Sequence, residues 1–405
     1  LTILISYMAE VGYENTAVAA VLNYGTSAMP PLETAFYKSG QRQNVQMNIV
    51  QIYGIIGGER AIELLLKKID YPDRRIAKEV LVALNQCNWT ATGAIRAIVR
   101  TFLDKAIYDT LWNKAALTEI EVGYGNSYLK KALENQEISS TNEVFLLLSL
   151  LYDKESVQLV KQNMEANTED SIGYAMELLD VFVEDDIKVK MMPVLDESPI
   201  EAKIKKLDSE FPREHFDSYQ VLNEIITRDF NSINRWTKVC AIHSLVHHPE
   251  AVVSQDLIAH IFNPDRLIQE TAAWAVCKLS VDTYEESIKR IPLHEARELN
   301  SFIMPAVLDE SLLSLEKVVF LYDVPIFKGI SGAVLSDIIE WMDEINLQIG
   351  EEISLQDDFG HQRLLIITQG KLAFKDQEGN LSSFKGENEV ISDALMLQGS
   401  FSLQN

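Results

Sequence analysis

Apolar residues recur at helical spacing over most of the chain, from Leu1 to about Phe302. They return roughly every three or four positions, and polar breaks follow after about fifteen to twenty residues. This spacing places apolar side chains on one face of an α-helix. We therefore predict a long succession of amphipathic helices, each burying one face against its neighbours.

These predicted helices fall into pairs. The stripe Val45–Ile56 ends at two glycines and is followed by the apolar helix Glu59–Ile69, and Arg74–Gln86 with Ala94–Leu103 repeats that order. The same spacing predicts further helices at Asn142–Met164, Asp170–Val183, Ile187–Asp196, Tyr219–Asp229, Arg235–Leu245, Leu257–Phe262 and Leu267–Leu279, with a polar stretch, Pro199–Pro212, between two blocks. Paired helices hide their apolar faces only by stacking on one another, so the pattern favours an α-solenoid.

The pattern changes after Leu312. Two helices are predicted at Leu313–Tyr322 and Ser331–Met342, and short segments with strand character follow, separated by turns that contain glycine. The predicted strands are Asn346–Ile349, Glu352–Leu355, Arg363–Ile367, Lys371–Lys375 and Leu381–Phe384. Short strands at this spacing favour a small antiparallel β-roll. The chain is therefore predicted to be mainly α, with a helical domain at 1–311, a possible break near 199–216, and a β-roll at 312–405.

Charge narrows the possible partners. The chain has 405 residues, with 36 Lys and Arg against 60 Asp and Glu, and a formal net charge of -24. Nucleic acids and anionic membrane surfaces attract basic proteins, so neither is a predicted partner. The three cysteines, Cys87, Cys240 and Cys277, lie far apart on apolar helix faces. They are predicted to be free thiols packed in the core, as in a reducing compartment.

No run of about eighteen uninterrupted apolar residues occurs, so no membrane insertion of this chain is predicted. The chain starts at Leu1 without a methionine, and it ends inside the β-roll pattern. We therefore expect a fragment of a longer polypeptide in the cytoplasm, with the β-roll truncated at its C-terminal end.

Several residues allow a sharper chemical interpretation. His243, His247, His248 and Cys240 could be drawn as a metal site, since His243 and His247 share one helix face. The alternative is that these imidazoles lie at a helix end, which Pro249 terminates, and complement the helix dipole. We favour the second interpretation and predict no metal site.

Two tryptophans and an acidic run could likewise belong either to a binding site or to ordinary structure. Trp236 and Trp274 could stack on a ligand, but aromatic residues on an apolar helix face are predicted to be core. Glu184-Asp185-Asp186 lacks the alternation and the glycine of a calcium loop. The sequence also has no nucleophile and base arrangement, no glycine-rich nucleotide motif and no HExxH motif. A lyase built on helical repeats is the enzymatic alternative, but the sequence offers no cluster of acid, base and nucleophile for it, so we predict a non-enzyme without a cofactor.

The helix pairs resemble HEAT repeats. The segment Val45–Gly58, with its aliphatic helix closing on Gly-Ile-Ile-Gly-Gly, stands where that family has an aliphatic helix closing on Leu-Gly-x-Ile-Gly. Leu267–Leu279 is similar to the family's recurring helix with small residues at regular positions. The resemblance implies a solenoid that binds a protein partner.

The C-terminal quarter resembles a cyclic-nucleotide-binding domain, a jelly-roll fold. Four motifs carry the resemblance in the right order: Leu321–Phe327 with its Val-Pro-Ile-Phe, Gly350–Ile353 with its Gly-Glu-Glu-Ile, the acidic turn Gln356–Asp358, and Leu365–Gly370. In that family, a Gly-Glu pair opens a short helix that holds the cyclic phosphate, and an Arg about nine residues later pairs with its charge.

The resemblance places this phosphate cassette at Ser392, Asp393 and Ala394, with Ser402 near the Arg position. No Lys or Arg occurs between Gly386 and Asn405. Without that cation, a phosphate would meet carboxylates and no counter-charge. We therefore favour a β-roll that no longer binds a nucleotide, and sensing of a cyclic nucleotide or related anion through these residues stays the alternative.

A helical array followed by such a roll is similar to the soluble tails of bacterial transporters of the ATP/ADP translocase type. The resemblance implies that a membrane-transporter domain precedes Leu1 and that the chain is its cytoplasmic part. The leading functional prediction is a non-catalytic scaffold or regulatory module that binds a protein partner through the helical array.

Overall fold

The computed structural model describes residues 1–10, 12–120, 127–196, 198–308, 311–354, 364–375 and 381–391. Twenty α-helices and four short β-strands lie in these ranges, so the chain is mainly helical, as predicted. Contacts between Cα atoms divide it into two compact units. The first unit is Leu1–Glu119, Leu133–Phe216 and Asp229–Ser232, and the second is Ile120–Ala132, Asp217–Arg228 and Ile233–Asn405. The predicted boundary at 311/312 stays a prediction.

The first twelve helices are α1 (Thr2–Tyr7), α2 (Glu14–Leu22), α3 (Met29–Phe36), α4 (Gln43–Ile56), α5 (Gly58–Leu66), α6 (Arg74–Gln86), α7 (Gly93–Glu119), α8 (Ser127–Leu151), α9 (Lys154–Ala166), α10 (Glu169–Phe182), α11 (Asp185–Leu195) and α12 (Ile200–Leu207). A 3₁₀ turn spans Gly25–Ala28. The predicted helix Arg74–Gln86 has the same bounds as α6. Asp73 caps it by accepting a hydrogen bond from the Arg75 N–H, which satisfies one of the free amides of the first turn.

The structure adds helix to the sequence predictions for the first unit, because α8 begins at Ser127 rather than at Asn142, and two further cases have a clear physical reason. The helix expected to end at Leu103 continues to Glu119, because its polar residues are partnered rather than exposed. Asp109, for example, accepts a hydrogen bond from Arg74 at 2.9 Å. The polar stretch 199–212 contains α12, where Lys203 is buried and its Nζ donates to the Val194 carbonyl at 3.1 Å. Because a lysine occupies this buried position of α12, the apolar residues alone do not show helical spacing there.

The later helices are α13 (Ser218–Thr227), α14 (Arg235–Val246), α15 (Gln255–Ala259), α16 (Arg266–Leu279), α17 (Val281–Ile288), α18 (Leu293–Val307), α19 (Ser314–Leu321) and α20 (Gly332–Ile338). Short 3₁₀ turns span His260–Phe262, Pro325–Phe327 and Ile339–Trp341. Within the second unit, α16 contacts α14, α15, α17, α18 and α19 and lies at the centre of the packing.

The helices predicted to lead into the β-roll also pack on this centre. α19 contacts α16, and α20 contacts α14. Gly332 makes the second contact possible, because a Cβ there would collide with the indole of Trp236 and the hydroxyl of Tyr322. Arg235 adds ion pairs with Asp337, at 2.5 Å, and Glu340. These helices are therefore part of the same packed unit as α14 and α16.

The strands form two antiparallel pairs. β1 (Leu365–Ile366) pairs with β4 (Val390–Ile391), and β2 (Leu372–Lys375) pairs with β3 (Leu381–Lys385). The strand predicted at Asn346–Ile349 is wrong, and the described part of the next predicted strand, residues 352–354, is not a strand either. Strand-like residues form a strand only where a second edge is available to pair with, and residues 343–352 are exposed. The jelly-roll and solenoid architectures stay predictions.

The described helices include none that could cross a membrane, because none joins sufficient length to a continuous apolar composition. The three cysteines are free thiols: Cys240 and Cys277 are buried, and Cys87 is half-buried. Burial raises the pKa of all three thiols.

Candidate functional site

The predicted phosphate cassette, Ser392, Asp393, Ala394 and Ser402, lies outside the described residues. The turn before it is described. There, Glu389 accepts a hydrogen bond from the Gly386 N–H and pairs with Lys385 at 2.9 Å. These two contacts, the amide first, lower the pKa of Glu389. Lys385 is the last cation before the cassette, and its charge is already matched by a carboxylate.

The histidine cluster of α14 is a packing feature. His243 stacks on Trp274 with ring centroids 5.0 Å apart and planes 7° apart, and His247 lies 5.1 Å from His243. Burial, and secondarily the neighbouring His247, lower the pKa of His243 to about 4. Trp236 and Trp274 are buried, which confirms their prediction as core residues. Within the described ranges, no group of three or more potential ligand side chains could hold a metal ion.

A cleft of about 480 Å³ lies in the first unit, between α3 and α5. It is lined by Met29, Pro30, Glu33, Thr34, Tyr37, Arg60 and Leu64. Pro30, Thr34, Tyr37 and Arg60 are exposed, so the cleft is open to a ligand that extends beyond it. Its volume is in the range of sites that bind small molecules or side chains.

Local sequence positions both walls of the cleft. Prolines in the first turn of α3 suit a helix start, where no amide hydrogen bond is lost. Gly57 and Gly58 have φ values of 65° and 80°, a backbone region that favours glycine, and they turn the chain from α4 into α5. The turn brings Arg60 and Leu64 onto the same cleft as Glu33 and Tyr37.

A buried lysine lies beneath Glu33. The Lys68 side chain is 0% exposed, and its Nζ donates to Glu33 Oε2 at 2.6 Å and to the Leu64 carbonyl at 3.1 Å. The ammonium also lies over the rings of Phe36, Tyr37 and Tyr53, at 4.7, 5.0 and 5.6 Å from their centroids. Contacts of this kind stabilise a cation that has lost its water.

Glu33 is held in place from below. Its Oε2 accepts hydrogen bonds from Lys68 and from the Tyr53 hydroxyl, the latter at 3.1 Å. The structure records no bond from a described residue to its Oε1, and 24% of the side chain is exposed. Glu33 is therefore a fixed carboxylate with one oxygen free to accept a hydrogen bond from a ligand.

Burial shifts the pKa values of two groups in the cluster. Burial, followed by the charge of Glu33, raises the pKa of Tyr53, so its phenol stays neutral. Burial also lowers the pKa of Lys68, although the contact with Glu33 opposes that effect. Perturbed groups in a cleft are functional candidates, but Lys68 cannot reach a ligand because it is completely buried. What the cleft presents to a ligand is an acceptor, apolar walls and the Arg60 guanidinium.

Sequence reasoning missed this cluster. Lys68 follows Ala61, Leu64 and Leu65 at the spacing of the buried face of α5, so its position carried a signal. A charged residue in a buried register requires a counter-charge. The sequence offered several acids as that partner, and only the packing of α3 on the other helices identifies Glu33.

Comparison with known proteins adds nothing to these observations. No family model, curated protein or solved structure matches this chain.

Proposed function

We propose that the chain is a non-catalytic interaction scaffold whose helical part binds a segment of a protein partner. The observation that supports this proposal is the cleft between α3 and α5, with its anchored Glu33 carboxylate. A peptide carries both N–H donors and carbonyl acceptors, and the cleft offers Glu33 Oε1 for the former and Arg60 for the latter. Apolar and aromatic walls suit the side chains beside them.

Arg60 is available for such a contact. Its guanidinium pairs with Glu63 at 2.5 Å, but the two side chains are 59% and 53% exposed. An exposed pair of this kind contributes little to stability, about 0–1 kcal/mol, so exchanging Glu63 for a partner group costs little. Tyr37, which lines the same cleft, is exposed, and its ring lies edge-on to that of Phe36 with centroids 5.0 Å apart. Exposed aromatic and arginine side chains are the residues that most often dominate binding energy.

A peptide-display selection against the full chain tests this proposal. We expect selected peptides to lose at least about tenfold in affinity when Tyr37→Ala removes one wall of the cleft. Tyr24→Ala is the matched control, since Tyr24 is also a half-exposed tyrosine but does not line the cleft. Binding would be measured by fluorescence anisotropy, and melting curves would confirm that both variants fold. Selected peptides that are insensitive to Tyr37→Ala, or equally sensitive to both changes, contradict the cleft as the binding site.

The finer features of the proposal rest on resemblance. They are HEAT-like stacking of the helix pairs, a jelly-roll at the C-terminal end, a cytoplasmic location, and attachment to a transporter of the ATP/ADP translocase type. Pull-down or cross-linking of the chain in its native cell tests the attachment. Recovery of no stable partner and no self-association would count against a scaffold of any kind.

Cyclic-nucleotide sensing is the alternative. What supports it is the antiparallel pairing of β1 with β4, which ends at Ile391, directly before the predicted cassette. The sequence has no Lys or Arg beyond Gly386 to pair with a phosphate, which weighs against nucleotide binding. Calorimetry with cyclic AMP, cyclic GMP and cyclic dinucleotides decides the question, and absence of heat at high ligand concentration ends the alternative.

A further inference from the structure

Negative charge is concentrated around the helix pair α9 and α10 of the first unit. The segment Asp153–Asp186 contains ten acidic residues and two lysines, which gives a net charge of -8. That is one third of the chain's -24 within 34 of its 405 residues. Lys161 pairs with Glu165, and Lys154 Nζ donates to the Asn85 carbonyl and to Asn88 Oδ1.

The outer face of α10 combines this charge with apolar side chains. Asp170, Tyr174, Glu177 and Val181 are spaced at i, i+4, i+7 and i+11, which places them in one stripe along the helix. The opposite face, with Ile172, Ala175 and Leu179, is buried. Tyr174 is 48% exposed and Val181 is 84% exposed. We call these four residues and Gly173 the α10 stripe.

Among the residues that the structure describes, none pairs with the charges of the α10 stripe, and its apolar groups remain partly or largely exposed. Asp170 and Glu177 form no ion pair with any described residue, whereas Asp180 and Asp185 pair with Lys188 at 3.0 and 3.2 Å. Val181 gains little from burial at its exposed position, and a β-branched residue is a weaker helix former than alanine. Asp170 lies in the first turn of α10 and complements the helix dipole, but folding of the first unit does not account for Glu177 or for the exposed Val181.

The fold gives no reason for a glycine at position 173. It lies inside α10, and a Cβ at this position would meet no atom within 4 Å. Its φ lies outside the positive range that favours glycine. Glycine in an exposed helix interior destabilises the helix relative to alanine. A residue without a side chain does allow a second helix to approach the α10 backbone closely.

We infer that the α10 stripe docks a basic amphipathic helix of a partner protein, which deepens the scaffold function proposed above and rests on it. Tyr174 and Val181 are about 10 Å apart along the helix axis, so they match apolar residues spaced seven apart on the partner. Asp170 and Glu177 alternate with them and pair with Lys or Arg beside the partner's apolar stripe. Gly173 allows close packing of the two helices.

Charge selects this occupant over two others. A second copy docked symmetrically would place its own Asp170 and Glu177 against the same residues, so four carboxylates would face each other. An anionic membrane surface would be repelled for the same reason. A positively charged helix alone complements both the apolar and the acidic positions of the stripe.

The test uses the full chain and a fluorescein-labelled leucine–lysine peptide whose leucines form one helical face, read by fluorescence anisotropy. We expect saturable binding that weakens as salt rises. Replacing Tyr174 and Val181 with serine should weaken it at least about tenfold, and Asp170→Asn with Glu177→Gln about fivefold. Gly173→Ala should weaken binding while raising the melting temperature, which separates docking from any loss of fold.

Control variants carry comparable chemical changes elsewhere in the chain. Glu285→Gln with Glu286→Gln removes the same charge, and Val252→Ser with Val281→Ser removes two exposed valines. Both should leave the affinity within about twofold. A peptide with glutamate in place of lysine should not bind.

Several outcomes overturn the inference. These are absence of peptide binding, equal losses in the control variants, and equal binding of the glutamate peptide. If the natural chain is a dimer by analytical ultracentrifugation and the stripe variants are not, the stripe binds a second copy of the chain. If the natural chain floats with anionic vesicles and the variants do not, the stripe binds a membrane. If peptides that require Tyr37 still bind the chain after any of these results, the scaffold function stands and only the docking site is wrong.

Discussion

Helices α10 and α16 have the same length and opposite surroundings. Each has 14 residues, but ten residues of α16 are buried and only three of α10. α16 contacts five other α-helices of the second unit, and its buried Glu270 is partnered there. Glu270 accepts hydrogen bonds from the Ser314 N–H at 2.8 Å and from its hydroxyl at 2.7 Å. α10 rests on α9 and α11 and leaves one whole side exposed.

The two helices differ little in how many apolar residues they contain, with eight in α10 and nine in α16. Burial therefore depends on how many neighbours a helix has, and not on its composition. The apolar residues of α16 hold the second unit together. The outer apolar residues of α10 contribute to no core, so changes there should affect binding and leave stability almost unchanged. Three predictions test this difference.

The largest expected effect is at Trp274 on α16. Trp274→Ala should lower the free energy of unfolding by about 3–5 kcal/mol, because it removes a buried aromatic side chain and leaves a cavity. The matched change on α10, Tyr174→Ala, should cost less than about 0.5 kcal/mol. Urea denaturation of both variants measures the two values. Similar losses would contradict the division between a structural helix and a binding helix.

The second prediction concerns pH and the ring that stacks on Trp274. The pKa of His243 is lowered to about 4 in the folded chain, whereas an unfolded histidine titrates near its ordinary value of 6.5. As the pH falls through this window, the unfolded chain binds a proton that the folded chain excludes. The free energy of unfolding should therefore fall by about 2–3 kcal/mol between the upper and lower pKa, with this contribution fully present above the upper one.

Many carboxylates also titrate at low pH, so the measurement is a difference between two proteins. The pH dependence of urea unfolding would be compared for the natural chain and His243→Gln, which cannot take up the proton. The variant should show the smaller decrease below pH 6.5. Identical slopes would mean that the stacked imidazole is not shielded from protonation.

The smallest effect is at Gly173 and has the opposite sign. Gly173→Ala should stabilise the chain by about 0.5–1 kcal/mol, because alanine is the better helix former and its methyl group meets open space. Gly332→Ala is the control, since a Cβ there collides with Trp236 and Tyr322 and should destabilise. Thermal melts compare the two, and a destabilised Gly173→Ala would show that the fold itself requires glycine on α10.

Periodicity predicted the helices well where the buried face is purely apolar, as in α6. Periodicity failed where a polar residue is buried, because the pattern predicts that Asp109 in α7 and Lys203 in α12 face solvent. Both are partnered by groups distant in sequence or outside their own helix. The strand prediction at residues 346–349 failed for a related reason, since pairing depends on a second strand that local sequence does not specify.

The cleft shows the same limit. The apolar spacing of α5 continues past its end at Leu66 to Lys68. The choice of Glu33 as the counter-charge of Lys68 depends on how α3 packs. The stripe on α10 could have been read from spacing alone, because Tyr174 and Val181 lie opposite Ile172 and Leu179. What sequence could not show is that none of the helices the structure describes covers it, since exposure is a property of the packed chain.

The enclosure of Lys68 has a chemical consequence for every modification that targets amines. Most lysines of this protein lie at the surface, where an acetyl group or an amine-reactive label can reach them at once, whereas the Lys68 Nζ is sealed by three aromatic rings and a carboxylate. Its reaction must wait until α5 separates from α3. The rate at which Lys68 is labelled, followed by mass spectrometry, therefore reports how often this part of the first unit opens locally.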